Sequence, residues 1–170
     1  MKKNDAPFYS LWLVPKGNLK KEIQNINKLL SEKFGGPKFC PHVTLNPSIF
    51  GPEKVLRRQC LEFSKFFRPQ EIKLKGISTT ENFFMSVFFE VHKSVELMEM
   101  NKKSKTFFKS KNQVYSPHLS LTYGDFSLPD KKEMIGLSKI ETKAFLAGEL
   151  YLCLNDEEKL SWEIIDKFSF

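Results

Sequence analysis

Apolar and polar positions along the chain follow two periodicities in turn. Tyr9–Val14 is an apolar, aromatic run before a Pro-Lys-Gly turn, which predicts a strand. From Leu19 to Phe34, apolar residues recur at steps of three and four, which predicts an amphipathic helix ended by Gly35-Gly36-Pro37. The same reasoning predicts, in chain order, a short strand at Pro41–Leu45, a helix from Gly51-Pro52 to Phe67, a strand around Ile72–Leu74, a longer strand at Phe83–Val91, a helix at Ser94–Lys105, a short strand at Pro117–Tyr123, a weaker helix at Pro129–Leu137, and strands at Phe145–Leu154 and Trp162–Phe170.

The order strand, helix, short strand therefore occurs twice, once in each half of the chain. We expect the strands at 72–74 and 83–91 to form a hairpin, and an acidic turn at 155–158 to join the last two strands. No low-complexity linker separates the halves, so we expect one bilobal α+β domain over residues 1–170.

Composition changes this picture only slightly. The chain has 170 residues, 41% of them hydrophobic and 17 of them phenylalanine, which is enough to build a core. Residues 1–5 lack the apolar run of a secretory signal, and no stretch is long enough to span a bilayer, so we expect a cytoplasmic protein without membrane contact. Cys40, Cys60 and Cys153 show no C-x-x-C spacing, and we interpret them as buried thiols.

The net charge of +7 favours anionic partners such as nucleotides or RNA, although lysines dispersed over a solvated surface explain it equally well. The charge alone does not select a function.

Two of the three histidines lie in matching contexts, PHVTL at 41–45 and PHLSL at 117–121. Residues i and i+2 of a strand share a face, so His42 should stand beside Thr44 and His118 beside Ser120, while the aliphatic residues between them enter the core. The third histidine, His92, has no such context, and we expect it to be non-catalytic.

One imidazole and one hydroxyl on each strand suit metal-independent hydrolysis of a phosphodiester. One histidine would take a proton from the attacking water, the other would protonate the leaving oxygen, and the hydroxyls would donate to the phosphoryl group. A pKa of about 6.5 allows histidine both roles near neutrality. The sequence contains no H-E-x-x-H, G-x-S-x-G, P-loop or G-x-G-x-x-G motif, so we expect neither a metal site nor a cofactor.

These paired motifs resemble the H-x-[ST]-x strands of the two-histidine phosphoesterase superfamily. Three stretches further resemble plant cyclic phosphodiesterases: YSLWLVP at 9–15, FGGP at 34–37 leading into PHVT, and PHLSL followed by Tyr123-Gly124-Asp125. The resemblance implies a bilobal α+β fold in which two pseudo-symmetric lobes each turn an antiparallel sheet toward a central cleft, with helices outside. It also implies His42 and His118 as catalytic residues and Thr44, Ser120 and Tyr123 as phosphate-binding residues.

The resemblance implies small cyclic nucleotides as substrates. Relatives open ADP-ribose 1'',2''-cyclic phosphate, a by-product of tRNA splicing, to ADP-ribose 1''-phosphate, and nucleoside 2',3'-cyclic phosphates to 2'-phosphates. RNA-ligase-like members of the superfamily carry arginine where this chain has Tyr123, which favours a small nucleotide over an RNA end. Strict alternation from His118, however, points Tyr123 to the leucine side, so it reaches the cleft only if the strand ends or twists near Gly124.

Trp12 and Phe84 are further candidates for the walls of a base or ribose pocket, although both could equally be core residues.

The strand at Ile164–Phe170 lacks the cysteine needed for the disulfide found in the plant type. The resemblance implies His118 as the general base and His42 as the general acid, whereas the sequence alone treats the two histidines symmetrically, and their roles would swap if the other phosphoester oxygen left. Alternative functions are an RNA 2',3'-cyclic or 2',5'-oligonucleotide phosphodiesterase and a nucleotide- or RNA-binding module without turnover. We expect a monomer.

Overall fold

The computed structural model describes residues 8–170, so the prediction made for residues 1–5 lies outside the described residues. The strands are β1 (Phe8–Leu13), β2 (Val43–Ile49), β3 (Gln70–Thr79), β4 (Val87–Val91), β5 (His118–Thr122), β6 (Ala144–Ala147), β7 (Glu149–Asp156) and β8 (Ser161–Ser169). The helices are α1 (Gly17–Phe34), α2 (Glu53–Ser64), α3 (Val95–Phe107) and α4 (Leu128–Leu137), with a 3₁₀ turn at Phe83–Met85. All four predicted helices are confirmed.

Two runs that were predicted as single strands are interrupted in the structure. The run Phe83–Val91 is a 3₁₀ turn followed by β4, because the Asn82 side chain accepts a hydrogen bond from the Phe84 amide at 2.9 Å and starts the turn. The run Phe145–Leu154 is two strands, β6 and β7, separated by Gly148. The predicted hairpin of β3 and β4 is confirmed, with Ile77 opposite Phe89.

The strands form one antiparallel sheet in the order β6-β3-β4-β5-β2-β1-β7-β8. Its two halves, β6-β3-β4-β5 and β2-β1-β7-β8, meet where β2 pairs with β5 at a single register pair, Val43 with Leu119. This arrangement confirms the predicted α+β fold, and it adds that the two antiparallel sheets are joined between the histidine motifs.

The sheet is curled. Five strands stand between β6 and β7 in the strand order, yet only Gly148 separates these two strands in the chain. Because one residue spans only a few ångströms, the edge strand β6 must return to the neighbourhood of β7. The halves of the sheet consequently face each other across a concave side.

The helices cover the convex side, and α1 and α3 each pack on a strand from the other half of the chain. Helix α1 follows β1 but contacts β5, and α3 follows β4 but contacts β2, while α2 contacts β7 and β8 and α4 contacts β4. Fully buried leucines of the sheet pack beneath these helices. Within residues 8–170, no helix has the length and hydropathy required to cross a bilayer.

Candidate active site

The two histidines stand at the junction of the half-sheets. His42 immediately precedes β2 and His118 begins β5, and the residues that follow them, Val43 and Leu119, are register partners. Continuing an antiparallel register from this pair places His118 across from Thr44 and His42 across from Ser120. Val43 and Leu119 are fully buried, as the alternation predicted. The two motifs thus bring four polar residues to adjacent positions on one face.

Both imidazoles are fixed in the same way. The Nδ1 of His42 lies 2.7 Å from the carbonyl oxygen of Cys40, and the Nδ1 of His118 lies 2.9 Å from that of Ser116. A carbonyl oxygen can only accept, so we assign the neutral-state proton to Nδ1 in each ring. The Nε2 of each histidine is then left with its lone pair, and it can take up or deliver a proton.

The surroundings of the imidazoles lower their proton affinity. His42 is 7% exposed and stacks on the Trp12 indole, with ring centroids 3.5 Å apart. Burial, together with the charge of His118, lowers the pKa of His42 to about 4, and the hydrogen bond to Cys40 opposes this shift. Burial also lowers the pKa of His118, whose ring meets the Phe88 ring edge-on at 5.3 Å. Both imidazoles are therefore neutral in the unliganded protein at pH 7.

A cavity of about 360 Å³ opens above this pair. Of the residues predicted from the sequence, His42, Thr44, His118, Tyr123, Trp12 and Phe84 all line it. Ser120 does not: it is buried, and its hydroxyl donates to the Phe84 carbonyl oxygen at 3.3 Å. The structure therefore brings every predicted site residue except Ser120 to one cavity. Ser120 lies behind the lining and contacts the backbone of Phe84, which is part of the lining.

Tyr123 reaches the cavity because β5 ends at Thr122, one residue earlier. The backbone then turns at Gly124, whose φ of 151° favours glycine. Burial raises the pKa of the Tyr123 phenol, while a hydrogen bond with Ser120 acts in the opposite direction. Tyr123 therefore brings a protonated hydroxyl to the cavity wall, next to Ser120.

The segment before the first motif packs against Tyr123. The Phe39 ring stacks on the Tyr123 ring, with centroids 4.0 Å apart and planes 14° apart. Gly36 lies so close that a Cβ atom there would stand 2.7 Å from the Tyr123 carbonyl oxygen, and its φ of 97° also favours glycine. These contacts hold the phenol in place, and the sequence indicated them only as part of the FGGP resemblance.

The aromatic side chains that line the cavity differ in how much of their ring faces is accessible. Trp12 is 2% exposed, and its ring is covered by His42, so it supports the imidazole. Phe84 and Trp162 are both half-buried, and their rings meet at 88° with centroids 6.4 Å apart. Trp162 was not among the predicted site residues, because its position on β8 shows no motif. The corner that it forms with Phe84 is the part of the wall suited to a base.

Two buried asparagines, also missed from the sequence, connect the helices to the motifs. On α1, the Asn27 amide donates to the Leu121 carbonyl oxygen at 3.0 Å, and on α3, the Asn101 amide donates to the Leu45 carbonyl oxygen at 2.7 Å. Each helix therefore holds the motif strand of the opposite half of the chain. The sequence did carry a signal, since an asparagine lies in the helical segment upstream of each motif histidine.

Candidate metal ligands are sparse around the cavity. Over the part of the chain that the structure describes, no group of three or more His, Cys, Asp or Glu side chains is arranged to hold a metal ion. Cys40, Cys60 and Cys153 are free thiols, and Cys40 is only half-buried, so the prediction of three buried thiols is wrong at that position.

Solved structures share this architecture at low sequence identity. Escherichia coli LigT complexed with 3'-AMP superposes with a TM-score of 0.64 at 9% identity, covering 98% of this chain and 99% of LigT. The protein TT0787 of Thermus thermophilus superposes with a TM-score of 0.66 at 12% identity, covering 95% of this chain and 97% of that one. The fold is therefore that of LigT and related two-histidine phosphoesterases.

Sequence relatives lie closer. A cyclic phosphodiesterase from Arabidopsis thaliana is 26% identical over 166 residues, covering 92% of each chain. A 2',3'-cyclic-nucleotide 3'-phosphodiesterase from Phaeosphaeria nodorum is 27% identical over 159 residues, covering 84% of this chain and 80% of that enzyme. The family model described as cyclic phosphodiesterase-like protein matches residues 8–170, which include both histidine motifs and every element of the curled sheet. On this match and the shared fold, the chain belongs to the cyclic phosphodiesterase-like family of two-histidine phosphoesterases.

Proposed function

We propose that the protein opens the five-membered cyclic phosphate of small nucleotides by metal-independent acid–base catalysis at His42 and His118. Its substrates are nucleoside 2',3'-cyclic phosphates, which give 2'-phosphates, and ADP-ribose 1'',2''-cyclic phosphate, which gives ADP-ribose 1''-phosphate. The enzyme class, a cyclic phosphodiesterase, follows from the family.

The observation that carries this proposal is the matched anchoring of the two imidazoles. Each Nδ1 is bound to the carbonyl oxygen two residues upstream, at 2.7 Å for His42 and 2.9 Å for His118, and both rings line one cavity. Acid–base catalysis on a phosphodiester needs one group to accept a proton and a second to donate one. Two oriented histidines with free Nε2 atoms meet that requirement.

In the proposed reaction, a water attacks phosphorus while the general base removes one of its protons. The P–O bond opposite the attacking water breaks, and the general acid protonates the departing ribose oxygen. Cleavage of the 3' ester leaves the phosphate on the 2' oxygen, which agrees with the name of the Phaeosphaeria relative. Thr44 and Tyr123 line the cavity and donate to the phosphoryl oxygens as their charge grows.

We assign His118 as base and His42 as acid, following the family resemblance. The unliganded protein favours neutral His42, because burial lowers its pKa to about 4. An anionic phosphate within roughly 4–6 Å favours the charged form of an imidazole, so substrate binding would raise this pKa. His42 then takes up its proton with the substrate in place.

The size of the cavity supports a small substrate. Its volume of about 360 Å³ lies at the lower end of the roughly 300–1,000 Å³ that small-molecule sites occupy. The open corner of Phe84 and Trp162 offers two ring faces on which a base can stack. Structures of LigT complexed with 3'-AMP, NADP+ and ATP are consistent with nucleotide binding by this fold.

The proposal is tested by incubating the protein in excess EDTA with 2',3'-cyclic AMP, ADP-ribose 1'',2''-cyclic phosphate and a 3',5'-cyclic AMP control. We expect turnover of the first two, with adenosine 2'-phosphate as the product of the first, and none of the control, whose six-membered ring is less strained. Loss of activity in EDTA, or equal turnover of the control, would contradict the proposal.

A further inference from the structure

Glu157 supplies a carboxylate to the lining of the catalytic cavity, and within residues 8–170 no other acidic residue and no lysine or arginine lines it. The sequence marked this residue only as part of the acidic turn at 155–158. A carboxylate repels a phosphate at short range, so it is unsuited to the phosphate-binding part of the cavity. Glu157 instead suits the part of the cavity that takes the remainder of the nucleotide.

The sheet register places Glu157 at the end of the cavity remote from the histidines. Trp12 of β1 stacks on His42. Phe8, four residues earlier on the same strand, is the register partner of Asn155, and four residues of strand span about 13 Å. Glu157 follows Asn155 by two further residues. The separation between the two ends of the cavity is one that a nucleoside and the Glu157 side chain span together.

The aromatic corner of the cavity adjoins Glu157. Trp162 is the register partner of Asn155 across the β7–β8 hairpin, and Glu157 lies in the turn of that hairpin. Trp162 and Glu157 both line the cavity, and the ring of Phe84 closes the corner on the other side. A base that stacks on an aromatic face keeps its edge free for hydrogen bonds in the plane of the ring. Glu157 is therefore placed to contact that edge.

The polar groups next to Glu157 are already occupied, whereas Glu157 is not. The Asn155 side chain accepts from the Ser10 hydroxyl at 3.1 Å, and its amide donates to the carbonyl oxygen of Phe8 at 3.4 Å. Within the turn, Asp156 accepts the hydrogen bonds. Over residues 8–170, neither a salt bridge nor a side-chain hydrogen bond engages Glu157. Its carboxylate is available to a ligand.

We propose that Glu157 recognises the base of the substrate and makes the enzyme prefer guanine. A carboxylate only accepts hydrogen bonds, and it does so with two oxygens side by side. Guanine offers two adjacent donors, N1–H and the N2 amino group, which match both oxygens. Adenine and cytosine set an acceptor next to their donor, and uracil sets its one donor between two acceptors. The inference rests on the proposed function and adds a base preference to its nucleoside 2',3'-cyclic phosphates.

The test variant is Glu157→Gln, which keeps the shape of the side chain and turns one of its two acceptors into a donor. An amide matches the donor and acceptor of adenine, as glutamine does in base readout, so the substitution should exchange the preference. The matched control is Glu158→Gln, which makes the same change at the next residue of the turn, exposed and outside the cavity lining. Circular dichroism and thermal unfolding verify that both variants fold.

The measurement is kcat/KM for 2',3'-cyclic GMP, IMP and AMP, since the hypoxanthine base of cyclic IMP keeps N1–H but lacks the amino group. We expect wild type to prefer cyclic GMP to cyclic AMP by about tenfold, with cyclic IMP between them. Glu157→Gln should lose roughly tenfold on cyclic GMP and gain on cyclic AMP, and Glu158→Gln should keep the wild-type order. A wild type that does not prefer cyclic GMP, an equal reduction on all three substrates in Glu157→Gln, or the same exchange in Glu158→Gln would overturn the proposal.

Binding separates a failure of this inference from a failure of the proposed function. The probes are guanosine 2'-phosphate and adenosine 2'-phosphate, followed by isothermal titration calorimetry. Tighter binding of the guanosine nucleotide by wild type, with the difference lost in Glu157→Gln, supports base recognition even if no cyclic nucleotide is hydrolysed. Equal affinities of wild type for the two nucleotides contradict it even if the cyclic nucleotides are turned over.

Discussion

The imidazole of His42 lies parallel to the indole of Trp12, with ring centroids 3.5 Å and planes 4° apart. The contact fixes the ring orientation and, by excluding water, contributes to the burial that lowers the pKa of His42 to about 4. Trp12 thus affects the orientation and the pKa of the His42 ring. A substitution that keeps the protein folded can measure this effect.

Replacing Trp12 with leucine should raise the pKa of His42 toward its ordinary value, because water gains access to the imidazole. We expect kcat/KM on 2',3'-cyclic AMP to fall roughly tenfold to hundredfold as the ring loses its orientation. NMR titration of the His42 ring protons measures the pKa directly. The control is Trp162→Leu, since the ring contacts of Trp162 are with Phe39, Phe84 and Tyr123. An unchanged His42 pKa in Trp12→Leu would show that the stack does not desolvate it.

Stability should fall as the pH drops from 6.5 toward 4. The folded-state pKa of His42 is about 4, against 6.5 for the ordinary group, so the unfolded chain binds the proton more tightly in this window. At about 1.4 kcal/mol per pKa unit, the loss is on the order of 3 kcal/mol. Urea unfolding between pH 4 and 7 measures it. The His42→Gln variant should lack this component of the pH dependence, and an identical dependence in both proteins would contradict the assignment.

The two kinetic constants should have different pH optima. The profile of kcat/KM reports the free enzyme, in which burial lowers the pKa of both histidines, so its optimum should lie below pH 6.5. The profile of kcat reports the enzyme–substrate complex, in which the phosphate raises the pKa of the general acid, so its optimum should lie at higher pH. Steady-state kinetics on 2',3'-cyclic AMP from pH 4 to 9 provides both profiles. Coincident optima above pH 7 would contradict this description of the site.

Tyr123→Phe should reduce kcat/KM roughly tenfold to hundredfold, which is the effect of losing one hydrogen bond to a charged group. The Phe39 stack remains possible for the new ring, so the fold should be retained. Tyr151→Phe is the matched control, because its hydroxyl donates to Glu149 at 2.8 Å, away from the residues lining the cavity. Equal effects of the two substitutions would assign Tyr123 a structural role.

The helices and the two histidine strands were predictable because their signals are local. Leu19–Phe34 carries its helical period in consecutive residues, and each P-H-aliphatic-[ST]-L segment carries its own alternation. The division of Phe145–Leu154 was not predictable, since an apolar run has the pattern of one strand whether or not it crosses between half-sheets. Its break at Gly148 depends on which strands lie next to β6 and β7, which is a property of the whole sheet.

The two motif histidines were easier to predict than the other residues that line the cavity. His42 and His118 are marked by repetition, whereas Trp162 enters the cavity only because β8 pairs with β7 and sets it opposite Asn155. Ser120 shares the pattern of Thr44 but is covered by the 3₁₀ turn that carries Phe84, and the sequence suggested a strand there. Alternation gives the face on which a side chain lies, but not what covers that face.

The central claim, that His42 and His118 are the acid–base pair of a metal-independent enzyme, is tested most directly by hydrolysis of 2',3'-cyclic AMP in excess EDTA. Wild type is compared with His42→Ala, His42→Gln and His118→Ala, each verified as folded by thermal unfolding. We predict turnover to adenosine 2'-phosphate by wild type and a loss of roughly 10²–10⁴-fold in every variant, the contribution expected of a positioned proton-transfer group. A folded variant that retains near-wild-type turnover, or a wild type that EDTA inactivates, would contradict the claim.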